Sequence, residues 1–202
     1  MDSKKIVIVD YGLGNLHSVD KAVVKAGGRA EISASVETIR KADKIILPGV
    51  GAFGDCMTNL QKSGLIPVLK KHILEDKPFL GICLGMQVLF ESSEEGPGVS
   101  GLGVFQGKVV YIRTKCKVPH VGWNHLHIMK DSPVEGAAEG RYVYFTHSYC
   151  CLPEDPSLVS SVCDHGIEIV AGIRRGNLFG VQYHPEKSSF VGVKMLHNFV
   201  TL

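Results

Sequence analysis

The 202-residue chain lacks an excess of charge of either sign, with 22 Lys and Arg against 20 Asp and Glu. A formal net charge of +2 leaves no electrostatic footprint for nucleic acid, and no stripe of Lys and Arg interleaves with aromatics. Long hydrophobic runs are missing too. The first apolar run, in "KKIVIVD", is far too short for a membrane span or the core of a secretory signal. Without such a signal, the six cysteines are expected as reduced thiols and the expected compartment is the cytoplasm. No internal repeat, low-complexity tract or linker divides the chain. A single domain over residues 1–202 is therefore expected, long enough to bury a core without disulfides or metals.

What is present alternates. "KIVIV" (5–9), "KIILPG" (44–49) and "PFLGI" (78–82) are apolar, β-branched runs of the kind that form strands buried on both faces. "GNLHSVDKAVVKAG" follows the first with helical spacing and a glycine stop near Gly27. Residues 59–74 carry a helical pattern broken by Gly64 and Pro67, and "LGMQVLFES" reads as the helix after the third strand. In the second half, "GKVVYI", "RYVYFTHSY" and "SLVSSVC" read as strands, and "IEIVAGIRRGNLFGVQYH" as two strands around a turn. "SSFVGVKMLHNFV" closes the chain as an amphipathic helix. The expected fold is α/β: a mainly parallel central sheet flanked by helices, with an additional antiparallel strand region in the C-terminal half. The active face is expected at the carboxyl ends of the parallel strands.

Three segments carry chemistry. In "GICLG" a cysteine, Cys83, stands two residues from a glycine on either side, where a strand gives way to a helix. This is the shape of a nucleophile elbow, in which small flanking residues let a tight turn expose the side chain. Such a turn puts the thiol near the positive end of the next helix, which favours thiolate. The alternative is a buried structural cysteine. In "FGVQYHPEKS" an apolar strand ends in His184, then Pro185 and Glu186. Residues two apart on an extended chain face the same side, so Glu186 can orient His184 as a base, completing a set with Cys83. Alone, this pair would be an ordinary surface contact. In "LPGVGAFG" three glycines after a proline free backbone amides for a ligand. An oxyanion would take one donor from Leu84 and a second from Val50–Gly51. An ordinary glycine turn is the alternative there.

In this order, "PGVGAFG", "GICLGMQVLF" and "VQYHPEKS" resemble the class I (triad) glutamine amidotransferases. "VDYGLGNLHSV", "ESSEEGPGVSGLGVFQGKVV", "VPHVGWN" and "YFTHSY" narrow the resemblance to the glutaminase subunits of imidazole glycerol phosphate synthase. It runs from about Ile6 to the C-terminal helix. Cys150 and Cys151 depart from it, where the family more often has an aromatic, and so does "TKCK" before "VPH". The resemblance implies a flavodoxin-like fold and hydrolysis of L-glutamine through a γ-glutamyl thioester on Cys83, with His184 and Glu186 completing the triad. It implies that Gln87 contacts substrate, that the backbone of His147, Ser148 and Tyr149 holds its amino-acid end, and that Gly49 and Gly51 line the oxyanion loop. It implies no cofactor and no metal. It further implies a (βα)8-barrel cyclase partner, forming a heterodimer. The ammonia would pass through a channel to that partner, which makes imidazole glycerol phosphate and an aminoimidazole carboxamide ribotide for histidine biosynthesis.

Three residues are expected at the partner interface. Trp123 sits in the proline- and glycine-framed "VPHVGWN", read as a loop, with a core tryptophan as the alternative. Lys187 follows the triad glutamate and would pair with a carboxylate, or else stay solvated. Asn15 would face the partner or cap the first helix. Other motifs fall away. "DYGLGN" lacks the third glycine of a dinucleotide site, since His17 stands there. Cys116, His120, His125 and His127 match no zinc spacing. The vicinal Cys150 and Cys151 are expected as two quiet thiols. Two alternatives to the glutaminase subunit remain at this stage: a scaffold that has lost turnover, and a paralogous subunit serving another synthase. The intact triad favours an enzyme over the first.

Overall fold

A computed structural model describes residues 4–136 and 141–202. The N-terminal half runs β1 (Ile6–Val9), α1 (Leu16–Lys25), β2 (Ala30–Ser33), α2 (Val36–Arg40), β3 (Lys44–Gly49), α3 (Phe53–Lys62), α4 (Ile66–Leu74), β4 (Phe79–Cys83) and α5 (Leu84–Gln87). Then come β5 (Ser92–Ser93), β6 (Gly107–Tyr111), β7 (His120–His125), β8 (His127–Ile128), β9 (Tyr142–His147) and β10 (Tyr149–Pro153). β11 (Val159–Asp164), β12 (Glu168–Arg175), β13 (Leu178–Val181) and α6 (Ser189–Thr201) follow, with a 3-10 turn at Pro185–Lys187.

The largest sheet has the order β2-β1-β3-β4-β13-β12-β11-β8. Its first five strands are parallel, in the flavodoxin-like order, and β12, β11 and β8 extend it antiparallel. Alternation explains why the runs are apolar throughout. Val7, Val9, Ile45, Leu47 and Phe79 face one layer with α3 and α4. Ile6, Ile8, Ile46, Leu80 and Ile82 face the other, where α1 supplies Val19 and Val23 and α6 supplies Met195, Leu196 and Phe199. Burying each such aliphatic or aromatic side chain is worth roughly 1.5–3 kcal/mol, so a sheet apolar on both faces needs a helical layer on each. Lys44 opens β3 fully buried, with its ammonium on the carbonyls of Phe199 (3.1 Å) and Val200 (2.5 Å) at the C-terminal end of α6.

Four expectations need correction. The helix expected over 84–92 ends at Gln87: the carbonyls of Val88 and Leu89 instead accept from Leu102 (2.7 Å) and Val104 (2.8 Å), and that of Glu91 from Gly101 (2.8 Å). The helix expected from residue 59 starts at Phe53, because Glu95 Oε2 reaches across and accepts from the Phe53 amide (2.8 Å). "RYVYFTHSY" is not one strand. It changes sheets at Ser148, β9 pairing with β7 and β10 with β6. "VPHVGWN" is not a loop, since β7 pairs antiparallel along the whole of β9.

Candidate active site

β3, β4 and β13 lie side by side and end at the same edge of the sheet, with Gly49 paired to Cys83 and Val181 to Ile82. Each therefore delivers one of the three motifs to one place. Cys83 is the last residue of β4 and Leu84 the first of α5, and the joint holds Cys83 at φ 54°, ψ −110°. A non-glycine residue held there costs on the order of 1–3 kcal/mol, sustained only by rigid surroundings. Those surroundings are the two glycines. A Cβ on Gly81 would lie 2.5 Å from the Gly85 carbonyl oxygen, and one on Gly85 would lie 1.9 Å from that of Leu47. The elbow is thus packed backbone to backbone between β3 and α5. With only one turn, α5 offers the thiol its first free amides and not the macrodipole that the sequence reading expected.

After β13 the chain keeps its alternation for three more residues. Gln182 and His184 turn toward Cys83, while Tyr183 between them turns to the other face and donates to Glu135 (3.1 Å). His184 Nδ1 lies 2.8 Å from Glu186 Oε1, with both side chains 2% exposed. The carboxylate accepts there, so Nδ1 carries hydrogen and Nε2 is left for the thiol side. Among the described residues His184 Nε2 and Glu186 Oε2 are buried without a hydrogen bond. Burial alone would push the His184 pKa down, but the neighbouring Cys83 and the hydrogen-bonded Glu186 carboxylate outweigh it and carry it up to about 9. The loop is stitched to β9: the His184 amide donates to the Tyr144 carbonyl (2.9 Å), and the Tyr144 amide donates to Ser188 Oγ (3.0 Å).

Cys83 and His184 open into a cavity of about 330 Å³, at the small end of ligand pockets. Val50, Gly51 and Leu84 form one side, and Gln87, His147, Ser148 and Tyr149 another. Gly51 has φ +97°, a backbone only glycine adopts readily, so the loop after β3 turns immediately beside the thiol. Of the residues expected around substrate, Gly49 is placed behind the cavity, paired with Cys83 in the sheet. The His147–Tyr149 wall lies where the strand changes sheets, His147 pairing with His120 of β7 and Tyr149 with Tyr111 of β6, while the Ser148 carbonyl between them accepts from the Ile112 amide (2.9 Å).

The family model for class-I glutamine amidotransferases matches residues 7–202. The chain belongs to that family. Among curated relatives, imidazole glycerol phosphate synthase subunit HisH of Aquifex aeolicus is 46% identical over 96% of this chain and 95% of its own. The subunit HisH of Thermosynechococcus vestitus is 49% identical, covering 100% and 99%. A solved structure described as a glutamine amidotransferase matches with a TM-score of 0.77 over 97% of this chain and 99% of that one, at 16% identity, a likeness of fold. In this class-I amidotransferase two residues of the site escaped the sequence reading. Glu95 lines the cavity while its carboxylate caps α3, and nothing in "SSEEGPG" distinguishes it from its neighbour Glu94. Gln182 reaches the thiol, and its alternation with His184 was the available signal.

The residues expected at an interface do not all meet. Trp123 is 52% exposed on β7, which excludes a core tryptophan, and packs edge-on to Tyr144 with ring centroids 5.9 Å apart. Lys187 lies over the same Tyr144 ring at 5.8 Å. Asn15 is exposed at the start of α1 and makes no side-chain capping bond. Among the described residues no hydrogen bond or ring contact joins it to Trp123 or Lys187. Of the histidines considered for a metal, His120 has its ring nitrogens 3.0 Å from His147 Nε2 and 3.1 Å from Asn124 Nδ2. His125 lies beside His127, 6.2 Å between centroids.

Proposed function

We propose that the chain acts as one domain, 1–202, that hydrolyses L-glutamine to glutamate and ammonia. The observation that carries this reading is a thiol, an imidazole and a carboxylate in series at the head of a small cavity. His184 Nε2 takes the Cys83 thiol proton as Sγ attacks the side-chain carboxamide carbon. The amides of Val50, Gly51 and Leu84 receive the oxyanion. His184 gives the Nε2 proton to the departing ammonia, leaving a γ-glutamyl thioester. Water, deprotonated by His184, then attacks the thioester, and glutamate leaves as the thiol regains its proton. Gln87 contacts the substrate, the backbone of His147–Tyr149 holds the amino-acid end, and Glu95 suits its ammonium. Glu186 keeps the tautomer of His184 and balances its charge. No cofactor enters these steps.

The likeness to HisH subunits of imidazole glycerol phosphate synthase supports use of the ammonia in such an assembly. We infer a (βα)8-barrel cyclase partner, which consumes the ammonia to make imidazole glycerol phosphate and an aminoimidazole carboxamide ribotide in histidine biosynthesis. Trp123 and Lys187, gathered at the half-buried Tyr144, and more distantly Asn15, would meet it. Among the described residues no helix is long and apolar enough to cross a membrane, in keeping with work in the cytoplasm. The test is glutamate release by the purified chain, alone and with the ligand-bound cyclase, with Cys83→Ala as blank. Strong stimulation that vanishes in Cys83→Ala is expected. Equal turnover in the variant would overturn the triad, and silence with the chain folded would overturn the pairing.

A further inference from the structure

The thiol has a second partner besides His184. Gln182 Nε2 lies 3.5 Å from Cys83 Sγ, and Gln182 is 0% exposed. An amide can present either end to a sulfur, and which end it presents decides what it does. Here the order is set by a group that can only accept. The Tyr149 carbonyl receives His147 Nδ1–H (2.8 Å) and an N–H of Gln87 (3.1 Å). Gln87 must therefore point its nitrogen that way, and its other N–H goes to Gln182 Oε1 (3.0 Å). With its oxygen spent, Gln182 has only its nitrogen for the sulfur. Reversing Gln182 would set two amide nitrogens against each other and a carbonyl oxygen against the thiolate.

His147 is fixed in the same sense. Its Nε2 accepts from His120 Nδ1 (3.0 Å), whose own Nε2 accepts from Asn124 (3.1 Å). Burial pushes both imidazoles down, His120 to about 4 and His147 to about 3, so neither gains a proton that would reverse the chain near neutrality. The donors thus run one way, from β7 to the Tyr149 carbonyl in the pocket wall. Gln87 donates into the same carbonyl from the other side, and from Gln87 the amides run through Gln182 to the sulfur. Since α5 is a single turn with little dipole, this amide adds a donor beside the few free amides the helix offers.

We propose that Gln182 is a positioning residue for Cys83, whose side-chain N–H holds the sulfur toward the cavity. The proposal rests on the glutaminase reading for its purpose but not for its test. Gln182→Met keeps the length and removes the donor, and Gln182→Glu keeps the shape and offers only acceptors. The probe is iodoacetamide at neutral pH, with modification of the Cys83 peptide followed by mass spectrometry. The rate of modification is expected to fall about tenfold in Gln182→Met, and further in Gln182→Glu. Turnover is expected to fall about tenfold in kcat with KM within about twofold. Unaltered rates in folded variants overturn the proposal. If the variants do not fold, the wild-type chain decides it: the side-chain amide resonances of Gln182 must shift when Cys83 is alkylated, and fixed resonances overturn it. Loss of reactivity in a chain that never turns over glutamine would leave the positioning intact and sink the glutaminase. Turnover with unaltered reactivity would do the reverse.

Discussion

At His184, desolvation and pairing pull in opposite directions, and pairing wins. Its folded pKa, carried up to about 9, sits above the ordinary imidazole value of about 6.5. The charged ring therefore stabilises the fold in full below pH about 6.5, and that contribution is lost as pH rises through 9. Cys83 and Glu186 are the two groups that raise it, so removing either lowers it. An NMR titration of the His184 Cε1 proton is expected to give a midpoint near 9 in the wild type and lower midpoints in Cys83→Ala and Glu186→Gln. The stability gap between wild type and Cys83→Ala should narrow over the same rise in pH. A wild-type midpoint at or below the ordinary value would refute the pairing.

Among elements, the elbow is held by absent side chains. A methyl on Gly85 would meet the Leu47 carbonyl at 1.9 Å, backbone against backbone, so neither side can step aside cheaply. Gly85→Ala is expected to cost about 3 kcal/mol by urea denaturation. Gly54→Ala is the control: there the new methyl meets only Val99 at 3.8 Å inside α3, and the change should be neutral or slightly stabilising. Equal effects at the two sites would mean the close approach does not hold the elbow. The sequence showed this element because a glycine pair around one cysteine is a local signal. β1, β3, β4 and β13 were legible for the same reason, being buried on both faces and so apolar without interruption. β2 was not, because it lies at the sheet edge with its residues partly exposed. β7 was missed because its proline and glycine look like a loop until β9, across the chain, supplies its partner. The length of α5 is set by residues 101–104 claiming its next carbonyls, and the place of Glu95 by a contact with Phe53, which no local pattern announces.

In the whole molecule, the cavity and the centre of the sheet are the same piece of structure. β13 supplies the base-bearing loop, and it also joins the parallel strands to the antiparallel extension, packed between β4 and β12. Losing β13 opens the site and splits the sheet together. In urea, the exposure of Cys83 to a thiol reagent and the loss of far-UV ellipticity are expected to share one midpoint. Exposure of Cys83 at clearly lower urea would show that the site opens by itself. The arrangement also has a consequence in time. Cys83 and Gln182 are 99 residues apart, so during synthesis β4 emerges long before the strand that covers it. Until β13 arrives, "FLGIC" is an apolar edge with unpaired backbone groups and a thiol without its base. The nascent chain is therefore chemically idle and at its most adhesive through the same interval, and a single late strand ends both conditions.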